Sequence, residues 1–312
     1  MAVTFKETTY GEYGRCLLGE NGKASILITL DRGPRLLSFA LTGKENILYE
    51  APAGQINDMT PAYEDFYGKG KAFHITGGHR AWVAPEHPVH TYYPDSEPVP
   101  YEIKGNSVIL TPSAQKETGF AFTCTFTLDE DAARVTAKHT LKNIGSKAQI
   151  AAPWSITMMS RGGVEIVPQS VKAPELLSNR NLVLWPYMSV KDDRFLLTDT
   201  FITLKQEESA HSAFKIGQFV DEGWAAYLNR GQLFVKHFGA DENAAYPDHN
   251  CNYETYTNAD FLEMESLGPI APIQPDAEVS NTEQWELFPC DASFDRKDEA
   301  AIAAFVKAHI AR

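Results

Sequence analysis

The sequence predicts an all-β fold of antiparallel sheets with a single helix at the C-terminal end. Strand-like segments recur along most of the chain, and helical spacing of apolar residues is convincing only near residue 300. Several segments alternate apolar with small or polar side chains, which is typical of half-buried antiparallel strands. The segments are "SILITL" (25–30), "RLLSFAL" (35–41), "SVILTPS" (107–113), "FAFTCTFTL" (120–128), "RVTAKHTL" (134–141), "IAAPWSITMM" (150–159) and "FITLKQ" (201–206).

Two connections have the composition of hairpin turns. "LDEDAAR" joins the segments on either side of residue 131. Asn229, Arg230 and Gly231 join "WAAYL" to "QLFVKHF", and Gly231 suits the positive φ of a tight hairpin turn. We therefore expect antiparallel pairing of consecutive strands at both connections.

The C-terminal segment has the pattern of an amphipathic helix over about residues 295–310. Asp295 is the predicted N-cap, and Asp298 falls in the first turn, where the helix dipole favours negative charge. Ile302 and Phe305 belong to one apolar stripe. We expect this helix to pack on the outside of a sheet.

Composition and charge exclude several classes of function. The chain has 28 basic and 41 acidic residues, a formal net charge of −13, and no basic cluster, so nucleic acid is not an expected partner. No run approaches the roughly 18 apolar residues of a membrane span. The first residues also lack the basic and apolar segments of a secretory leader. These features predict a soluble, cytoplasmic protein that is not bound to a membrane.

Neither a repeat nor a linker divides the 312 residues, so we expect one β domain over residues 1–312 that includes the terminal helix. The four cysteines are far apart and lack the paired spacing of metal ligands. They are expected to be reduced, mostly buried thiols. The sequence therefore predicts no metal and no cofactor.

Residues 51–100 differ from the rest of the chain, since they hold seven of the 18 prolines and four of the nine histidines. Proline removes donors from a sheet, which predicts a long irregular connection here. Long loops inside compact domains are often functional. We therefore expect the site to involve this region.

The stretch "HITGGHRAWVAPEHPVHTYYPD" (74–95) combines His79, Arg80 and Trp82 with further aromatic and acidic residues. Sugar sites use this mixture, because an aromatic face stacks on the ring while Arg, His and carboxylates bind hydroxyls. The alternative is that His79 and Arg80 only tie down the loop. A metal site is disfavoured, because Pro88 separates His87 from His90 and prevents a helix that would align them.

Two later segments also carry candidate residues. In "LFVKHF", Lys236 is either a contact for a hydroxyl-rich or anionic ligand or a surface lysine. In "FLEMESLGP", Glu263 and Glu265 lie two positions apart on a predicted strand and so share one face. Such a pair is tolerated if it is solvated, paired with cations or holds a proton, and the last case supplies a general acid and base. The alternative is an exposed acidic face.

Three segments in this order resemble the galactose mutarotase-like, or aldose 1-epimerase-like, superfamily over about residues 10–290. They are "LDRGPRLLSFALTGKENILYE", "GGHRAWVAPE" and "FLEMESLGP". The resemblance implies a β-supersandwich, a large two-sheet antiparallel domain whose concave face binds carbohydrate. It also implies that the base, a glutamate on a late strand of the family, falls on Glu263, with Glu265 where the family has Gln.

The chain departs from the family at the acid. Where mutarotases carry Asn-His, this sequence has Pro153 and Trp154, so the usual acid histidine is missing. His79 is the candidate replacement. The resulting hypothesis is an aldose 1-epimerase-like enzyme that transfers protons at the anomeric centre, with Glu263 as base and His79 as acid. The expected substrate-binding residues are Arg35, Arg80, Trp82, Trp154, Lys236 and Glu265.

Two alternatives stay open from the sequence. One is a carbohydrate-binding protein without catalysis, in which Trp82, Trp154, Arg80 and Glu263 hold a sugar ring. The other is a lyase acting on uronic-acid sugars, which needs a cation near the substrate carboxylate; Arg35, Arg80 and Lys236 are the candidates.

Overall fold

Two large antiparallel sheets make up most of the molecule. The computed structural model describes residues 2–52, 56–57, 61–173 and 175–310. Within these residues one sheet has eleven strands and the other ten, which confirms the predicted fold class. The prediction of one domain over residues 1–312 also covers residues 1, 53–55, 58–60, 174 and 311–312, which lie outside the described residues.

The first sheet carries the candidate site. Its strands, numbered in chain order, are β1 (Thr4–Thr9), β2 (Arg15–Glu20), β3 (Ala24–Thr29), β4 (Leu36–Leu41), β7 (His79–Ala84), β12 (Gln149–Met159), β14 (Val183–Leu184), β17 (Phe214–Gln218), β20 (Tyr253–Thr257), β21 (Leu262–Leu267) and β22 (Ala271–Ile273). They are ordered β1-β2-β3-β4-β7-β12-β21-β20-β17-β14, and β22 pairs with β12.

The second sheet packs against the first. Its strands are β8 (Tyr101–Lys104), β9 (Ser107–Leu110), β10 (Phe120–Leu128), β11 (Arg134–Asn143), β13 (Val164–Pro168), β15 (Phe195–Leu197), β16 (Phe201–Lys205), β18 (Trp224–Asn229), β19 (Gln232–His237) and β23 (Glu278–Pro289). Their order is β15-β16-β13-β18-β19-β23-β11-β10-β9-β8. Two short strands, β5 (Ile56–Asn57) and β6 (Phe73–His74), pair separately.

The predicted hairpins are present in the second sheet. β10 pairs with β11 across the "LDEDAAR" connection. β18 pairs with β19 across Arg230 and Gly231, whose φ angles are 52° and 64°. Positive φ at both central residues is the geometry of a tight hairpin turn whose twist matches that of the strands.

The main core lies between the sheets. Phe39 from the first sheet meets Phe234 and Trp285 from the second, with ring centroids 6.4 Å apart in both pairs. Along β10 buried and half-buried residues alternate, as expected for a strand with one face on the core. In contrast, all six residues of β21 are buried. This central strand of the first sheet is therefore covered on both faces.

The region 51–100 is more regular than its proline content predicts. It contains helix α1 (Pro61–Tyr67), and β7 (His79–Ala84) pairs with β12 in the middle of the first sheet. β7 can pair regularly because it contains no proline: the first proline after Pro61 is Pro85, which immediately follows the strand. The "GGHRAWVAPE" segment is thus a central strand with irregular chain on both sides.

The C-terminal helix α3 (Glu299–His309) packs on the outer face of the second sheet, as predicted. Ile302 and Phe305 join a cluster with Ile166 and Val235. The helix begins later than expected, since Asp298 is the N-cap and Asp295 only turns the preceding chain by accepting from the Lys297 N–H. A further short helical element, α2 (Pro247–Asn250), has left-handed backbone angles. No helix among the described residues is long and apolar enough to cross a membrane.

The N-cap assignment predicts the effect of Asp298→Ala. The Asp298 carboxylate accepts from the N–H groups of Ala300 and Ala301 at 3.0 and 3.3 Å. Its loss should lower the free energy of unfolding, measured by urea denaturation, by about 1 kcal/mol. Asp295→Ala is the matched control and should cost less; equal losses would show that the cap is assigned to the wrong residue.

Candidate functional site

A cleft of about 410 Å³ opens on the face of the first sheet that is turned away from the core. Strand alternation sets this arrangement: Leu262 and Met264 of β21 point into the core, whereas Glu263 and Glu265 line the cleft. Aromatic side chains form much of the wall. They are Phe73, Trp82, Tyr92, Trp154, Trp185, Tyr187, Tyr256 and Phe261.

The register of neighbouring strands places the charged residues side by side across the floor. Glu265 lies opposite Ile156 of β12 on one side and opposite Glu254 of β20 on the other. Ile156 in turn lies opposite Arg80 of β7. On β17, Lys215 is the neighbour of Tyr256. Four strands from distant parts of the sequence thus supply one polar surface.

Glu263 is paired with a cation inside the cleft. Its Oε1 accepts from the Arg80 Nη2 at 2.9 Å, and both side chains are largely buried. The Arg80 guanidinium also lies over the Trp82 ring, 4.1 Å from its centroid. The Arg80 Nε is buried without a hydrogen-bond partner among the described residues. This group therefore offers both an unused donor and a carboxylate to a ligand.

Glu265 belongs to a second charged group with Lys215 and Glu254. The Lys215 Nζ lies 3.0 Å from the Glu265 Oε2 and 2.8 Å from the Glu254 Oε2. The Trp154 Nε1 donates to the same Glu265 oxygen at 3.0 Å. Lys215 also contacts the faces of Trp154 and Trp185, at 4.8 and 4.9 Å from their centroids. One ammonium is thus shared between two buried carboxylates.

This sharing changes the protonation of the group. Burial raises the pKa of Glu265 to about 7 and that of Glu254 to about 8, although Lys215 opposes both shifts. Burial alone would lower the pKa of Lys215, but Glu265 and Glu254 hold it well above its ordinary value. Near neutral pH the group therefore holds a proton that Glu265 and Glu254 share. A carboxyl in this state can act as a general acid.

The sequence-predicted residues fall into two sets. The cleft brings together Glu263, Glu265, Arg80, Trp82 and Trp154. His79, Lys236 and Arg35 are not in its lining.

His79 faces the core and does not reach the cleft. It is fully buried, with its Nδ1 2.8 Å from the Thr157 Oγ1 and its Nε2 2.7 Å from the His139 Nε2. Burial holds the pKa of His79 well below its ordinary value. The reason is the two-residue period of β7: Arg80 points into the cleft, so its neighbour His79 must point the other way. The catalytic acid expected at His79 is therefore not at this site.

Lys236 is also a core residue. Its Nζ contacts the Glu283 Oε1 at 2.9 Å and donates to the Met264 carbonyl at 2.8 Å. Lys236 is fully buried between the sheets, so both predictions for it are wrong: it is neither a ligand contact in the cleft nor a surface lysine.

Arg35 lines a smaller cavity of about 120 Å³ next to the cleft. Its Nη2 pairs with the Asp95 Oδ2 at 2.5 Å, and its guanidinium lies 5.3 Å from the Phe73 centroid. Because Phe73 and Trp82 line both spaces, Arg35 stands behind the cleft wall.

Sequence reasoning missed Lys215 and the part played by Glu254. Lys215 lies between Phe214 and Ile216, so alternation on a strand would have placed it on the opposite face from two apolar residues. Glu254 occurs in a polar stretch that looks like a loop, and its role becomes visible only when β20 pairs with β21.

His87 and His90 contact groups of their own loop, which follows β7. The His87 Nδ1 accepts from the N–H groups of Val89 and His90. The two imidazoles stack with centroids 3.8 Å apart. Within the part of the chain that the structure describes, no group of three or more His, Cys, Asp and Glu side chains is placed to hold a metal ion.

Comparison with known proteins identifies the fold. No protein-family model and no curated protein sequence matches the chain. In contrast, a galactose mutarotase-like protein from Lactobacillus casei matches 88% of this chain over its own full length, with a TM-score of 0.53 and 10% identity. The chain has the galactose mutarotase-like fold.

Two further structures extend this likeness. A candidate aldose 1-epimerase from Klebsiella pneumoniae matches over 98% of this chain and 86% of its own, with a TM-score of 0.55 and 10% identity. A TPR-domain containing protein from Parabacteroides distasonis matches over 91% of this chain with a TM-score of 0.58 and 14% identity, but this chain spans only 48% of that protein.

The raised pKa of Glu265 predicts how Glu265→Gln changes the pH dependence of stability. Its folded-state pKa lies above the ordinary 4.5, so the folded state binds this proton more tightly than the unfolded chain. The resulting stability is fully present below about pH 4.5 and is lost as the pH rises through about 7. In urea titrations, the free energy of unfolding of the wild type should therefore fall relative to that of Glu265→Gln from about pH 5 to about pH 8. A wild type that gains stability over the variant in this range would contradict the raised pKa.

Proposed function

We propose that this protein is an aldose 1-epimerase-like enzyme that binds a sugar in the cleft and interconverts its anomers by proton transfer. One observation carries the proposal: Glu263 and Glu265 enter the same aromatic-lined cleft, Glu263 is paired with Arg80 whereas Glu265 shares Lys215 with Glu254, and the pKa of Glu265 is raised to about 7. A base and an acid near the operating pH are what the reaction needs. The galactose mutarotase-like fold supports a carbohydrate as ligand.

The walls of the cleft suit a sugar ring. Trp82, Trp154 and Tyr256 present apolar faces on which the C–H side of a ring can stack. Arg80 has a free Nε donor, and Glu263 has lone pairs for hydroxyl groups. Aromatic faces and a few placed polar groups together fix both the plane and the orientation of a ring.

In the proposed reaction Glu263 is the base and Glu265 is the acid, in the place first expected for His79. The ionised Glu263 takes the proton of the anomeric hydroxyl while the C1–O5 bond breaks, and protonated Glu265 gives its proton to the ring oxygen. Rotation about C1–C2 and the reverse transfers close the ring as the other anomer and restore both carboxyls. Glu263 and Glu265 lie two strand positions apart, about 7 Å, so their carboxyls can approach the two oxygens of one anomeric carbon.

The charges in the cleft do not favour the lyase alternative. Such an enzyme needs a cation free to bind the uronate, but Arg80 is paired with Glu263, and Lys215 with both Glu265 and Glu254. Arg35 is paired with Asp95 behind the wall. Among the described residues the cleft thus has no surplus positive charge, and it fits a neutral sugar better. A binding protein without catalysis does not need a candidate acid and a candidate base in one cleft, which favours the enzyme over that alternative.

The test is anomer exchange, followed by NMR magnetisation transfer on a panel of aldoses. The wild type should accelerate exchange for at least one sugar, and Glu263→Gln and Glu265→Gln should each lose about 10²–10⁴-fold. The rate should also fall as the pH rises above about 7, because Glu265 loses the proton that it must donate. Glu102→Gln, the same change on an exposed strand of the second sheet, is the control and should keep the wild-type rate.

Each alternative has its own result in this experiment. Sugar binding without accelerated exchange would show a binding protein. New ultraviolet absorbance from an unsaturated product on uronate polymers would show a lyase. Full activity in Glu265→Gln would remove Glu265 as the acid.

A further inference from the structure

A side pocket of about 320 Å³ extends from the cleft past Trp154 and Trp185. It shares these two tryptophans, Lys215 and Glu86 with the cleft. Its own walls add Pro88 from the loop after β7, Glu254 from β20 and Asp248 from α2. A ligand held in the cleft can therefore extend a substituent into this space.

Glu254 is the buried residue of the side pocket with an unsatisfied oxygen. The residue is 1% exposed. Its Oε2 contacts Lys215, but its Oε1 has no hydrogen-bond partner among the described residues. A buried carboxylate oxygen without a donor is costly, and native structures usually satisfy such atoms. A donor on a ligand would satisfy this one.

The side pocket has more carboxyl groups than cations. Glu86, Asp248 and Glu254 supply three carboxyl groups, whereas Lys215 is the one cation among the described residues of the lining and is already shared with Glu265. Burial raises the pKa of Glu254 to about 8, so near neutral pH this carboxyl holds a proton. A second cation would compensate its ionised form.

The backbone at Asp248 is held in an unusual conformation. Asp248, His249 and Asn250 have φ angles of 49°, 60° and 74°, in the left-handed region that few non-glycine residues adopt. The Cys251 N–H donates to the Pro247 carbonyl and closes this turn at 2.9 Å. Three such residues in a row carry strain, and strain of this kind is concentrated at functional sites. Here the strained turn places Asp248 at the side pocket.

We propose that the side pocket binds a protonated amino group, so that the preferred ligands of the cleft are amino sugars. On binding, Glu254 releases its proton to solvent, and the ammonium donates to the free Glu254 oxygen and is neutralised by Glu254 together with Asp248. The sugar ring stays in the cleft as in the proposed function, on which this assignment of substrate class depends. The amine supplies the cation that the side pocket lacks.

Isothermal titration calorimetry in neutral buffer tests this with D-glucosamine, D-galactosamine and 6-amino-6-deoxy-D-glucose as probes. Each is compared with its parent hexose and its N-acetyl derivative, which have the same ring without the positive charge. At least one amine should bind about tenfold or more tightly than both of its neutral counterparts, the size of effect expected for a partly buried charge pair. Equal affinities, or no detectable binding of any amine, would overturn the proposal.

Two variants locate the effect. Asp248→Asn removes one charge, and asparagine tolerates the left-handed backbone as aspartate does. It should abolish most of the preference for the amine and leave the affinity for the parent hexose within about twofold. Glu254→Gln should reduce the preference for the amine more than Asp248→Asn does. If the buried Glu254→Gln variant does not fold, the result for Asp248→Asn alone tests the proposal. The matched control is Asp276→Asn, the same change at an exposed residue with a φ of 63°, and it should keep the preference.

This outcome is separable from that of the proposed function. A preference for amines that disappears in Asp248→Asn supports the side pocket even if no sugar shows accelerated anomer exchange. Accelerated exchange without any preference for amines supports the enzyme and removes the side pocket. A preference that persists in Asp248→Asn would assign the amine to another part of the cleft and overturn this proposal.

Discussion

The buried ion pair of Lys236 and Glu283 joins the two sheets directly beneath the cleft. Lys236 comes from β19 and Glu283 from β23, both in the second sheet, yet the Lys236 ammonium donates to the carbonyl of Met264 in the first. Ser266 of the same first-sheet strand donates to Glu283 at 2.5 Å. Removing one partner of a buried pair leaves an uncompensated charge that costs about 3–5 kcal/mol. The strand that carries Glu263 and Glu265 is thus fixed from its core side by an interaction that is expensive to break.

The position of that strand explains the electrostatics of the cleft. Because β21 is covered on both faces, its two cleft carboxyls are removed from bulk water and must find other compensation. Arg80 compensates Glu263 directly. Lys215 is divided between Glu265 and Glu254, so this half of the cleft is short of positive charge and holds a proton instead. An unequal supply of cations therefore gives two neighbouring glutamates different environments, which the proposed reaction uses for a base and an acid.

Much of the fold could be predicted from local patterns, whereas the site could be predicted only in part. The strand predicted at 120–128 matches the structure because its alternation is regular and its ends are clear. The shared face of Glu263 and Glu265 follows from the same rule. Applied to His79 and Arg80, that rule would have shown that only one of them reaches the cleft. The cations could not be assigned in this way, since Lys215 lies 50 positions from Glu265 and they meet only through the pairing of β17, β20 and β21.

Trp154 bears both on the missing family histidine and on Glu265, the acid of the proposed reaction. On the resemblance in sequence, Trp154 stands where mutarotases carry their acid histidine. An indole cannot give up a proton in this reaction, but its Nε1 donates to the Glu265 Oε2 and holds that carboxyl in place. The other oxygen, Oε1, has no hydrogen-bond partner among the described residues. Because Trp154 and Lys215 both bind Oε2, Oε1 is the atom left to hold the proton. Trp154 thus takes the place of the family's acid histidine and also orients Glu265. In the proposed reaction Glu265 is the acid that replaces this histidine.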